Sequence, residues 1–179
     1  MTTNSSMKRI CTTAVCIALC VVLPMAFHSV GLGSTLSPMH IPVLLCGIVC
    51  GSYYGLACGI IGPILSSVLT GMPPIPMLVR MLPELAVYGL TAGLAMKHIR
   101  TGKNIADLYI SLGIAMILGR IAGGVASALF FMGNGEAYSI AIWASSYFVT
   151  AVPGIVAHLI LVPALALTLA KAGVAPKRY

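Results

Sequence analysis

The stretch SPMHIPVLLCGIVCGSYYGLACGIIGPILSSVLT, residues 37–70, decides the fold class. It holds two apolar segments, 41–51 and 54–70, and no Lys, Arg, Asp or Glu. The longer one approaches the roughly 20 residues that a helix needs to cross about 30 Å of hydrocarbon. The shorter one cannot cross as a straight helix. Either it continues from the entry at residues 37–39, or it is a partial span closed off by protein. Short or broken helices are tolerated at membrane depth only when buried in protein or lining a polar cavity.

Four more apolar segments flank this stretch, at 10–27, 77–96, 108–132 and 142–170. Hydrophobic residues make up 59% of the 179 positions and charged residues 7%. A soluble domain carries about 25% charged residues, because its surface must stay hydrated. With so few charges, lipid has to be the solvent for most of the chain. The reading is an all-α integral membrane protein, one transmembrane domain over residues 1–179 with six transmembrane helices. The N-terminal run resembles a signal peptide, but no small-x-small cleavage site follows, and Pro24 and His28 interrupt it. It reads as the first transmembrane helix.

Basic residues set the orientation. Lys8 and Arg9 precede the first segment, Lys97, Arg100 and Lys103 follow the fourth, and Lys171, Lys177 and Arg178 follow the sixth. Six crossings put all three clusters on one side, which the positive-inside rule makes cytoplasmic, with both termini there. Five crossings would split the last two. These positions make the net charge of +7 a topology signal and exclude a nucleic-acid surface. The opposite segments, 28–40, 71–76 and 133–141, have no Lys or Arg and are rich in turn formers. They serve either as connectors or as a lid over an external cavity. Prolines 73, 74 and 76 stiffen the second and end any helix there.

Six cysteines, Cys11, Cys16, Cys20, Cys46, Cys50 and Cys58, form no CxxC pair. The i,i+4 spacings of Cys16/Cys20 and Cys46/Cys50 stack them along helix faces as small apolar residues, so no metal is expected. Gly51, Gly55 and Gly59 stand four apart, as do Ala14 and Ala18, and Gly119, Gly123 and Gly124 add a third small-residue group. Such residues let helix backbones approach closely in lipid. Ala14/Ala18 is the candidate for a partner surface.

Charges at membrane depth cost about 2.5–3.5 kcal/mol on insertion scales and usually face a cavity or one another. Arg80 and Glu84 are i,i+4 and able to pair along one helix face. Arg120 has no acidic neighbour in its own segment, so its balance comes from elsewhere: a ligand carboxylate or phosphate, or carbonyls at a helix end. His40 reads as an interfacial hydrogen-bonder or a ligand contact. His158, between Pro153 and Pro163, either satisfies carbonyls those prolines free or points into a cavity. Asn134, Glu136, Tyr138, Trp143 and Tyr147 cluster at the outer end of the last two segments, as belt anchors or as a stacking surface for a flat ligand.

The sequence has no G-x-x-x-x-G-K-[ST] phosphate loop, no H-E-x-x-H and no G-x-S-x-G. No enzyme activity and no cofactor are expected, and any ATP that drives this protein is hydrolysed by another chain.

The six-helix size, Ala14-x-x-x-Ala18 and the run Ser37-Pro38-Met39-His40-Ile41-Pro42-Val43-Leu44-Leu45 with Gly47, Gly51 and Gly55 resemble the S-components of energy-coupling factor (ECF) transporters. The continuation GIIGPILSSVLTGMPP is similar to that family's third helix and following loop. The resemblance implies an S-component-like bundle, multi-pass in a prokaryotic plasma membrane. Such a subunit captures a vitamin or related micronutrient outside. It then delivers it inward when docked on a transmembrane coupling protein with two ATPase subunits. Carried over, Ala14 and Ala18 would be the docking face. His40, Arg80, Glu84, Arg120, Asn134, Trp143 and Tyr147 would contact substrate.

Two substrate classes fit these residues. Excess arginine suits an acid such as pantothenate. Glu84 with arginines and aromatics suits a guanine-like base such as queuine or a queuosine precursor, and the carboxylate tips the reading to the base. The alternative function is a stand-alone ion-coupled secondary transporter with Arg80/Glu84 as proton-coupling pair. That would call for an internal repeat, and none is evident between residues 1–90 and 91–179.

Overall fold

The computed structural model describes residues 3–29, 37–135 and 138–173. Glu136, Lys177, Arg178 and most of the first outer segment lie outside them. Seven α-helices follow one another in the described chain: α1 (Thr3–Ser29), α2 (His40–Cys50), α3 (Ser52–Thr70), α4 (Ile75–His98), α5 (Asn104–Gly133), α6 (Ile140–Ala144) and α7 (Val152–Lys171). A π-helical turn, Ser145–Val149, joins α6 to α7. Among the described residues five helices are long and apolar enough to cross a membrane, namely Ser6–His28 of α1 and the whole of α3, α4, α5 and α7. The all-helical bundle expected from the sequence is the fold.

The short segment is α2, and its 11 residues are all buried. At about 1.5 Å per residue it is only about 16 Å long. It is packed by α1, α3, α4 and α7, so it is the partial span closed off by protein rather than a longer helix starting at residue 37. Gly51, with φ of 106°, ends α2 and lets α3 start in a new direction.

Glycines set the spacing of the inner helices. A Cβ on Gly55 would overlap the Gly89 carbonyl and the Gly47 backbone, and one on Gly59 would overlap the Leu85 carbonyl. Backbones of α2, α3 and α4 therefore touch directly, where dispersion between close surfaces replaces the hydrophobic drive. The core beside this crossing holds Val43, Leu44, Leu45, Leu85 and five free cysteines, Cys16, Cys20, Cys46, Cys50 and Cys58. Large apolar side chains such as Val15, Val68, Ile117, Leu129 and Ile160 point outward, as lipid requires.

Two connections depart from the expected pattern. Pro76 does not end a helix but sits in the first turn of α4, where no intrahelical donor is needed. The turn before it is tied back to α3, because Ser66 Oγ donates to the Met72 carbonyl and Ser67 Oγ to the Pro73 carbonyl, each at 2.8 Å. Residues 142–170 form not one helix but α6, the π turn and α7. Pro153 has no N–H to continue the ladder, and Thr150 N instead reaches back five residues to the Ser145 carbonyl.

Candidate functional site

Three charged or hydroxylated side chains stand four residues apart on α4: Arg80, Glu84 and Tyr88. Helical periodicity puts them one above another on one face. Facing them on α5 are Gly119, Gly123 and Ser127. A Cβ on Gly119 would lie 2.6 Å from the Tyr88 ring, and one on Gly123 would lie 2.9 Å from Glu84 Oε2. The sequence suggested that Gly119, Gly123 and Gly124 bring helix backbones together. Instead they make room for side chains, the third for the Trp143 indole.

The space left between these helices, the start of α2 and the π turn is a cavity of about 210 Å³. Its polar lining includes His40, Arg80, Glu84, Arg120, Tyr147 and His158, with hydroxyls from Ser37, Ser127 and Ser146. Met77, Met81, Ala151 and Gly154 complete the walls. A second, more apolar cavity of about 170 Å³ adjoins it. It shares Ser37, His40, Met77 and Met81 and extends to Pro24, His28 and the Met72–Pro74 turn.

Arg80 and Glu84 do not form the intrahelical pair that their spacing allows. Arg80 Nε donates to the Pro76 carbonyl at 3.2 Å, and its guanidinium lies over the rings of Phe131 and Phe130, at 5.0 and 5.7 Å. Glu84 turns instead to α2, where its Oε1 is 3.5 Å from His40 Nε2. The other nitrogen of His40, Nδ1, lies 3.1 Å from the Ser37 carbonyl. His40 also meets the Tyr88 ring edge-on at 5.2 Å and stacks on His158 at 5.5 Å.

Arg120 is 6% exposed. Its Nε donates to the Tyr88 hydroxyl at 3.2 Å, and its guanidinium carbon is 5.5 Å from the Phe148 ring centre. The helix-end carbonyls considered as its partners do not take that place. Among the described residues no carboxylate lies within ion-pairing distance of Arg80 or Arg120.

Five of the seven residues suggested as substrate contacts line the cavity: His40, Arg80, Glu84, Arg120 and Tyr147. Asn134 and Trp143 do not line it. Asn134 is exposed at the end of α5, donating to the Phe130 carbonyl at 2.9 Å. Trp143 sits behind Arg120, its indole N–H donating to the Arg120 carbonyl at 3.2 Å. Tyr138 stacks on Phe131 outside the cavity, 5.2 Å away. Two residues outside that set of seven belong here, Tyr88 and His158. For Tyr88 the available signal was its place one turn beyond Glu84.

Charged side chains gathered around a small cavity in an apolar helical bundle mark the candidate functional site of a membrane protein. The chain belongs to the family described as ECF transporter, substrate-specific component, whose model matches residues 8–166. It is therefore a multi-pass protein of the prokaryotic plasma membrane and a transporter component, in a family that is not one of enzymes. Such components sit in the bilayer and work with membrane-embedded coupling and ATPase modules. No curated protein and no solved structure gives a match to this chain.

Proposed function

We propose that this subunit captures a water-soluble micronutrient in the cavity of His40, Glu84 and Arg120 on the outer side of the membrane. It delivers the molecule inward when docked on a coupling protein with two ATPase subunits. The observation that carries this reading is the cavity itself, lined by charged side chains within an otherwise apolar bundle. Substrate candidates are the two classes suggested by these residues, an acidic vitamin such as pantothenate and a modified nucleobase such as queuine or a queuosine precursor.

Docking belongs to α1. Ala14 and Ala18 are exposed on it, on the side away from the buried Thr13, Cys16 and Cys20. Small side chains on an outward face admit a second helix at short range. The chain crosses six times, with α2 as the buried partial crossing and both termini in the cytoplasm, where the basic clusters then meet anionic headgroups. A stand-alone, ion-coupled transporter has less support, since Arg80 and Glu84 face different partners.

Uptake into proteoliposomes tests the reading. Ala14→Trp with Ala18→Trp is expected to abolish ATP-driven uptake and co-purification of the coupling protein while leaving substrate binding intact. Uptake by the purified chain alone, driven by an ion gradient, would overturn it.

A further inference from the structure

The chemistry of the captured molecule follows from the position of one proton, an inference that rests on the capture reading above. The Ser37 carbonyl, 3.1 Å from His40 Nδ1, can only accept, so Nδ1 carries a hydrogen. His40 Nε2 then faces Glu84 Oε1 at 3.5 Å, with both side chains more than nine-tenths buried. A bare ring nitrogen against a bare carboxylate would set two acceptors against each other in a largely buried pair, which is costly. One proton therefore lies between them. It sits either on Nε2, giving an imidazolium beside a carboxylate, or on Glu84, giving a carboxylic acid beside a neutral imidazole. In both arrangements the two side chains together carry no net charge.

Glu84 therefore neutralises neither arginine. Arg80 and Arg120 each use Nε on a protein oxygen, the Pro76 carbonyl and the Tyr88 hydroxyl. The terminal nitrogens of both, on residues that line the cavity, have no carboxylate among the described residues. Arg120 is the buried one of the two, a buried guanidinium without an anion is strongly unfavourable, and its fork of N–H groups matches a carboxylate or phosphate. We propose that the substrate is an acid, that Arg120 binds its anionic group, and that His40 and Glu84 meet it as one neutral unit. The carboxylate that tipped the reading to a guanine-like base is then shared with His40 and no longer favours the base over an acid.

Loading the purified full-length chain from a bacterial metabolite extract, followed by mass spectrometry of what it retains, tests the proposal. A retained carboxylate or phosphate compound is the expected result. A retained neutral base or a cation overturns the acid inference and leaves capture standing. Nothing retained by chain shown to be folded overturns capture and the inference with it. With the retained acid as probe, Arg120→Gln is expected to weaken binding by about 10- to 100-fold, with Arg120→Lys between it and the parent. An unchanged affinity in Arg120→Gln overturns the assignment. Should that variant fail to fold, the parent chain decides: the acid is expected to bind at least roughly tenfold tighter than its primary amide, and equal binding overturns the proposal. Glu84→Gln, at a residue that meets the substrate, is expected not to strengthen binding of the acid, since the shared proton leaves with the carboxylate. A gain of roughly tenfold or more would mean that a free carboxylate had stood there, and would overturn the neutral pair.

Discussion

Tyr88 is 1% exposed, and its hydroxyl is the acceptor for Arg120 Nε. Tyr88→Phe keeps the ring against Gly119 and His40 but leaves a buried charged donor without its partner. Such a loss costs about 1–3 kcal/mol, so ligand affinity is expected to fall about tenfold by isothermal titration. The chain should still run as a single peak on size exclusion, and an unchanged affinity would show that Arg120 is oriented by other contacts. The charged members of this site were legible in the sequence because charges at membrane depth stand out against an apolar background. Tyr88 was not, since a tyrosine in an apolar helix reads equally as core. Their partners were not legible either. Spacing allowed Arg80 to meet Glu84, but only the tertiary approach of α2 shows that His40 takes that place.

Among the elements, glycines four residues apart do two different kinds of work. Those of α2, α3 and α4 hold backbones in contact, whereas those of α5 leave room for the side chains of the site. Gly55→Ala is therefore expected to separate α3 from α4 and lower the melting temperature, with little folded protein recovered. Gly123→Ala is expected to fold and to lose ligand affinity, since the new methyl would crowd Glu84 Oε2 and the Tyr147 hydroxyl, each within about 3.0 Å. Thermal melts of both variants in detergent, followed by titration of the folded one, separate the two roles, and equal melting temperatures would contradict the distinction. Helix positions were readable because each long segment is apolar throughout. The break in the last one was not, because hydropathy runs through it, and Pro153 acts there together with the hydrogen bonds around Ser145 and Thr150.

At the scale of the whole molecule, the cavity is assembled from distant parts of the chain. The start of α2, the N-terminal half of α4, the middle of α5, the π turn and α7 each contribute. A chain ending after residue 151 retains Arg80, Glu84 and Arg120 but lacks α7 and His158. It is expected to retain no ligand when purified, and retention at the level of the full chain would show that α7 is dispensable for the site. The enclosure of α2 carries a consequence for biogenesis. As nascent chain, α2 is too short to partition into lipid as an independent span. It can be buried only after α4 has been made, and its contact with α7 forms last of all. Completion of the ligand site and covering of the α2 face that meets α7 thus coincide, and that face stays uncovered in any copy that stops short.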